Sequence, residues 1–300
     1  MNKFKVLEKI KVLYEKKVNI ISYLSKDNPN NKNSVEDILI SYDFQAGSYV
    51  DLYYENPEFK NKWGQKIADI INDLGKIETV LEVGVGEGTT LGPTFNYLKN
   101  KNVRVYGFDI SWSRVKIASD FLLNYSIENI SLFVGDLFNI PLNDNSIDVV
   151  YTSHSLEPNG GREREALKEL YRVTKKYLVL LEPIYEFGNQ EAKERMDNHG
   201  YIKNMYTTVK DLGYEIVEYK KFELCSNPLN PTGLIIIEKK SMKNNSDELC
   251  CPITKTKLEK IDGAYYSKKS LLAYPILASI PCLLKDNAIL ATKYGKTYKT

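Results

Sequence analysis

Apolar positions recur at two different periods along this chain. Over residues 4–24, Leu7, Ile10, Leu13, Tyr14, Ile21 and Leu24 are spaced by three, four and seven, which predicts one amphipathic helix with lysines on its other side. No Trp anchors that apolar face, so the expectation is a helix packed on its own protein and not on a membrane surface. After the polar stretch KDNPNNKNS, the tyrosine-dense segment SYDFQAGSYVDLYYENPEF is expected to be partly helical. Residues 60–75 read as another helix, ending at Gly75. From residue 79 the period changes. Short strand-like runs at 79–83, 103–108, 130–134, 147–152 and 177–181 are interleaved with helical patterns at about 88–100, 112–123, 162–174 and 189–212. Two last runs, 214–223 and 233–239, flank CSNPLNPTG and read as an antiparallel hairpin.

Strands separated by helices predict an α/β fold: a doubly wound, seven-stranded, mostly parallel sheet. The lysine-rich EKKSMKNNSDE then marks a boundary. The expected organisation is a helical cap or lid at 1–75, a ligand-binding α/β domain at 76–240, and a small α+β unit at 249–300.

Composition narrows the setting. The 300 residues, 43% of them apolar, suffice for two packed units. A formal charge of +2 argues against binding a polyanion by bulk electrostatics. Four cysteines without a CxxC pair fit a reducing cytoplasm and no disulfide framework. The opening MNKFKVLEKIKVLYEKK is charged throughout, unlike a secretion signal. The apolar run LLAYPILASIPCLL is too short for a membrane span and is broken by Pro275 and Pro281. A soluble, cytoplasmic protein is therefore expected.

The candidate chemistry lies in VLEVGVGEGTT, where the first strand stops in Gly84, Gly86 and Gly88 before a helix. Glycine tolerates positive φ and lets a ligand approach the backbone, while the helix start offers free N–H groups. A dinucleotide-binding turn would be G-x-G-x-x-G, but here Thr89 stands in the last position and the third glycine comes one residue early. Acids end three successive strands: Glu82, Asp109 in VYGFDIS, and Asp136 in VGDLFNIPL. Such a rim suits a cationic ligand with one adenosine and suits a pyrophosphate badly. A carboxylate at Asp109 can accept ribose hydroxyls. One at Asp136 can accept an adenine amino group between Ile110 and Leu137.

In these motifs, and in SIDVVYTSHSLEPNG after them, residues of roughly 40–240 resemble the class I S-adenosylmethionine-dependent methyltransferases, which are Rossmann-like. The resemblance implies S-adenosyl-L-methionine as cofactor. It places Glu82, Gly84, Val85, Gly86 and Gly88 at the methionine portion, Asp109 and Ile110 at the ribose and ring, and Asp136 with Leu137 at the adenine. Ser153 and His154 would border the methionine end, with Tyr42 and Tyr49 in a lid. Many relatives carry a second histidine where this chain has Pro158. The carboxyl ends of the fourth and fifth strands nominate His154, Glu157, Asn159, Glu182 and Tyr185 around an acceptor, and the loop 227–232 reaches the same rim. Of these, His154, Glu157 and Glu182 are the catalytic candidates. SHSLEPN is not the Asn/Asp-Pro-Pro-Tyr of enzymes that methylate bases or glutamine. It looks more like enzymes of small metabolites and sugars.

The tail, CPITKTKLEKIDGAYYSKKSLLAYPILASIPCLLKDNAILAT, resembles the zinc-ribbon-like activator subunit of tRNA and translation-factor methyltransferases. The opening CPxC of the zinc-bearing members is Cys251-Pro252-Ile253-Thr254 here, and Cys282 lies off the ligand pattern. No metal is expected, and the family likeness implies docking in cis on the α/β domain. The resulting expectation is an S-adenosylmethionine-dependent methyltransferase with a small-molecule acceptor, a sugar or nucleotide-sugar oxygen or nitrogen, and no nucleic-acid partner. An RNA or protein methyltransferase with a fused activator, and a non-catalytic cofactor-binding scaffold, are the alternatives.

Overall fold

A computed structural model of the chain describes residues 6–26, 28, 32–240 and 245–294. Five parallel strands form its centre: β1 (Thr79–Val83), β2 (Arg104–Asp109), β3 (Ile130–Val134), β4 (Ile147–Ser153) and β5 (Thr174–Pro183). The hairpin β6 (Glu215–Lys221) and β7 (Thr232–Glu238) completes the sheet, with β7 antiparallel to β5. The order is β3-β2-β1-β4-β5-β7-β6, a doubly wound, Rossmann-like sheet. The order reverses direction at β1, which opens a crevice at the carboxyl ends of β1 and β4.

Ten helices lie among the described residues: α1 (Leu7–Glu15), α2 (Ile20–Ser25), α3 (Val35–Phe44), α4 (Ser48–Glu55), α5 (Pro57–Asp73), α6 (Leu91–Tyr97), α7 (Trp112–Phe121), α8 (Glu163–Val173), α9 (Gln190–Asn198) and α10 (Met205–Asp211). Both faces of the sheet are covered, which is why β1 reads as an unbroken buried run and not as an alternation. On one face Val80, Val105 and Val149 pack with Trp63 and Ile67 of α5 and Phe95 of α6. On the other, Leu81, Val83 and Val150 pack with Leu167 and Leu170 of α8 and Val209 of α10.

Two helices expected as single pieces are broken. The amphipathic stretch at 4–24, whose residues 4 and 5 lie outside the described ones, divides into α1 and α2. Lys17 adopts a left-handed φ of 59°, and the Asn19 side chain caps α2 by accepting from the Ser22 N–H. Expected helix 189–212 divides into α9 and α10, because Gly200 and Asn204 take φ of 64° and 56°. That break places Tyr201 in the site described below.

Beyond residue 248, β8 (Glu259–Ile261), β9 (Ala264–Ser267), β10 (Leu272–Leu277), β11 (Ile280–Pro281) and β12 (Ile289–Leu290) form a small antiparallel sheet, with one 3₁₀ turn at Lys285–Asn287. The expected boundary segment at 238–248 includes residues 241–244, which lie outside the described residues. Two backbone hydrogen bonds join this region to β3 and to the loop between β3 and β4. The Leu283 N–H donates to the Val134 carbonyl at 2.9 Å, beside a parallel bridge between Val134 and Cys282. The Cys250 N–H donates to the Pro141 carbonyl at 2.9 Å. Leu258, Tyr274 and Leu283 are buried in the same apolar cluster as Leu142 and Leu170. Full burial of each such side chain stabilises by about 1.5–3 kcal/mol. Among the described residues no helix is long and apolar enough to cross a membrane.

Candidate active site

A single cavity of about 1350 Å³ opens over the carboxyl ends of β1 to β4, roofed by α3 and α4 and flanked by α9 and the β6–β7 loop. Its size suits a nucleoside cofactor together with a second small molecule.

The floor is the glycine turn. Gly84 has φ of 68°, and a Cβ there would sit 2.4 Å from the Ser155 Cβ, so any side chain would collide with the loop after β4. Gly86 also has positive φ, and its N–H donates to the Asp109 carboxylate at 3.1 Å. The other Asp109 oxygen accepts from the Ser111 N–H at 2.9 Å, so backbone donors orient this carboxylate at the tip of β2. Burial raises the Asp109 pKa, and the Arg114 charge and these N–H groups offset only part of that rise.

Glu82 is buried at the end of β1, where the register sets it beside Tyr151 of β4. The Tyr151 hydroxyl donates to Glu82 at 2.7 Å. Burial nevertheless pushes this carboxyl up to about 8, and the Lys60 charge only partly opposes it. Lys60 itself is held below its ordinary value by burial. Asp136, after β3, accepts from the Phe138 N–H at 3.0 Å, and with Ile110 and Leu137 it lines the cavity.

Tyr42 and Tyr49, expected in a lid, both line the cavity and sandwich the Arg114 guanidinium, with ring centroids 4.7 and 4.6 Å away. Tyr53 takes no part in that stack. Its hydroxyl meets that of Tyr125 at 2.9 Å in an aromatic group with Tyr54 and Phe121. Glu87 fastens the roof to the floor: its carboxylate accepts from the Gly47 N–H at 3.0 Å and the Val50 N–H at 2.7 Å, at the start of α4. The Trp63 Nε1–H donates to Ser153 Oγ at 3.1 Å.

Three catalytic candidates stand together at the carboxyl ends of β4 and β5. His154, in the left-handed region with φ of 54°, has Nε2 at 2.7 Å from Thr232 Oγ1 and Nδ1 at 3.3 Å from Glu157 Oε2. Burial alone works against the imidazolium, but the Glu157 hydrogen bond and the charges of Glu157 and Glu182 outweigh it, so His154 titrates above its ordinary value. Asn230 Nδ2 donates to Glu157 Oε2 at 3.1 Å. Glu182 lies one layer deeper. Fully buried, it accepts from the Ser155 N–H at 3.0 Å and the Leu156 N–H at 3.2 Å, and burial pushes it up to about 7. It thus braces the loop that carries His154. Asn159 lines the cavity, whereas the Tyr185 hydroxyl turns to Asp197 at 3.3 Å. His199 caps the end of α9, with Nδ1 at 2.8 Å from the Arg195 carbonyl.

Arg114, Lys60, Trp63, Glu87, Arg195 and Tyr201 also line or frame the site and were not singled out from sequence. Arg114 had a readable signal, since it is the one charged residue in the buried stripe of α7 with Val115, Ala118 and Phe121. Among the described residues no group of three or more His, Cys, Asp or Glu is placed to hold a metal ion. In the CPIT turn, burial pushes the Cys251 thiol up, but hydrogen bonds with Thr254, Tyr274 and Ser270 outweigh it and bring it to about 6.

Residues 80–177 match a family described as a methyltransferase domain. Over 98 residues the chain is 36% identical to O-methyltransferase 3 of Dictyostelium discoideum, a stretch that is 31% of this chain and 22% of that relative. The chain therefore spans about a fifth of the length of the curated relative it matches. Solved structures of similar shape include magnesium protoporphyrin IX methyltransferase from Synechocystis PCC 6803 with bound SAH, at 15% identity and TM-score 0.49, covering 67% of this chain and 99% of that one. Another is a SAM-dependent methyltransferase from Aquifex aeolicus, at 19% identity and TM-score 0.43, covering 57% and 87%.

Proposed function

We propose that this chain transfers a methyl group from S-adenosylmethionine to an oxygen or nitrogen of a small molecule, a sugar or nucleotide-sugar being the acceptor class we favour. The observation that carries the reading is the rim of one cavity on which Glu82, Asp109 and Asp136 end three adjacent strands around a turn that excludes side chains at Gly84. The methyltransferase-domain match over residues 80–177 spans these same strands. In this reading Glu82 faces the cofactor's amine, Asp109 the ribose, and Asp136 with Ile110 and Leu137 the adenine. Arg114, beside Gly86, supplies a cation for the carboxylate end. Bound S-adenosylmethionine would supply a methyl group activated on a sulfonium.

The chain's own groups then need to align an acceptor and take its proton. Both ring nitrogens of His154 meet protein partners, which suits it to positioning. Glu157, a cavity-lining carboxylate held through Oε2 by His154 and Asn230, is the group we assign as proton acceptor. Glu182 fixes the loop beneath both.

We also assign residues 249–300 as a tethered unit docked in cis, supported by the Leu283–Val134 and Cys250–Pro141 hydrogen bonds. The four free cysteines suit a cytoplasmic setting. Calorimetry with S-adenosylhomocysteine and with NAD tests the cofactor: the first should bind and the second should not. Binding of NAD alone would overturn the reading.

A further inference from the structure

A buried polar atom without a partner costs about 1–3 kcal/mol, so such atoms are few and call for an explanation. Among the described residues seven buried side-chain atoms lack a hydrogen-bond partner, and four of them belong to residues lining this one cavity: Arg114 Nη2, Ser155 Oγ, Arg195 Nη1 and Asn230 Oδ1. Their distribution divides the cavity. Arg114 and Ser155 stand at the glycine turn, on the side of β1 and β2. Arg195 and Asn230 stand on the other side, on α9 and in the β6–β7 loop, beyond β4.

Both residues of the second group line the cavity together with Glu157. Asn230 donates to Glu157 at 3.1 Å while its Oδ1 is left without a donor, in a side chain only 6% exposed. The Arg195 guanidinium stands 5.5 Å from the Tyr201 ring and is hydrogen-bonded to that side chain, while its Nη1 is left without a partner. The acids of the cofactor rim stand across the sheet on β1 to β3. One guanidinium nitrogen and one amide oxygen without partners thus line the same cavity as the carboxylate assigned as proton acceptor. A guanidinium matches the planar oxygens of a carboxylate or the oxygens of a phosphate, whereas the amide oxygen requires an O–H or N–H donor.

Resting on the methyltransferase reading, we propose that the β4–α9 side of the cavity is an acceptor subsite for a hydroxylated small molecule bearing an oxyanion group, the oxyanion held by Arg195 and a neighbouring hydroxyl by Asn230 Oδ1. The step is balanced within the site. The acceptor hydroxyl gives its proton to Glu157, and its oxygen forms the new C–O bond. The C–S bond breaks with its electron pair remaining on sulfur, and the proton leaves Glu157 for solvent.

The test is calorimetry of the S-adenosylhomocysteine-saturated protein with three matched probes: glucose, glucuronate and glucose 6-phosphate. At least one charged probe should bind about ten- to a hundredfold more tightly than glucose, the range expected for one charge-assisted hydrogen bond. The tighter of the two identifies carboxylate or phosphate as the group. Arg195→Met should abolish that preference, Arg195→Lys should restore part of it, and both should keep wild-type affinity for S-adenosylhomocysteine, which also reports folding. Equal binding of glucose, retention of the preference in Arg195→Met, or no binding by either charged probe would overturn the subsite. Failure of S-adenosylhomocysteine to bind would instead sink the cofactor reading, and the same probe series on the unliganded protein would still decide the oxyanion preference.

Discussion

Replacing Glu82 with Gln separates two effects of burying a carboxyl at the end of β1. Burial pushes this group up to about 8 from an ordinary 4.5. About one molecule in a hundred then carries the carboxylate at pH 6, about a tenth at pH 7 and half at pH 8. A cofactor amine that needs that carboxylate must wait for its ionisation. The affinity of S-adenosylhomocysteine should therefore rise about fiftyfold between pH 6 and pH 8, and turn over only where the amine itself loses its proton. Stability moves the other way. A raised folded pKa means that the folded chain keeps a proton which the unfolded chain releases above about 4.5, so the unliganded protein loses stability as pH rises from there to about 8. The loss from this group is at most roughly 1.4 kcal/mol per pH unit, about 4–5 kcal/mol in all. Glu82→Gln cannot ionise. Its unliganded form should outlast wild type at pH 8 in thermal melts, while its ligand affinity should be low and flat with pH. Calorimetric titration of both proteins at pH 6, 7 and 8, in two buffers of different ionisation enthalpy, reads the affinity and the proton released. A flat wild-type curve, or a Glu82→Gln curve with the wild-type slope, would refute the reasoning.

Three further outcomes can be checked. Gly84→Ala introduces a Cβ 2.4 Å from the Ser155 Cβ at a positive φ, so urea melts should show a loss of about 2–4 kcal/mol. Adding Ser155→Gly should recover the steric share but not the backbone share. Asp109→Ala removes the acceptor for the Gly86 and Ser111 N–H groups, and its affinity for S-adenosylhomocysteine should fall at least tenfold by calorimetry. An unchanged affinity would take Asp109 out of the ribose role. Leu283→Asp puts a charge into the cluster shared by both sheets, so it should lower one common unfolding transition by about 3 kcal/mol or more. Two separate transitions, with the larger unchanged, would show that the regions fold apart.

The first three strands and their acids were legible because each is a short apolar run that stops at a glycine or an acid. The strand predicted at 79–83 is β1, and Asp109 and Asp136 stand at the expected tips. Helix breaks were harder to read. Lys17 enters the left-handed region with neither Gly nor Pro to announce it, whereas Gly200 and Asn204 do carry a turn signal that helical periodicity obscured. Tyr201 enters the cavity only because of that second break. Asn230 meets Glu157 across the sheet, Arg195 lines the same cavity from α9, and no local pattern encodes such a gathering. Arg114 was readable in principle, as a lone charge on an apolar helix face. The deeper position of Glu182 was not, since a strand-end acid looks the same whether it faces a ligand or braces a loop.

The stitch between Val134 and the 282–283 segment also bears on how the protein is made. A ribosome delivers every strand of the large sheet well before it releases the residues that seal the open flank of β3. During that interval the nascent chain exposes unpaired backbone two residues from Asp136, in a form prone to mispairing with its neighbours. The corner beside Asp136 is thus finished only after every strand of the large sheet has been delivered. A stop codon between residues 240 and 282 would spare every strand of the large sheet yet leave that corner without its outer support.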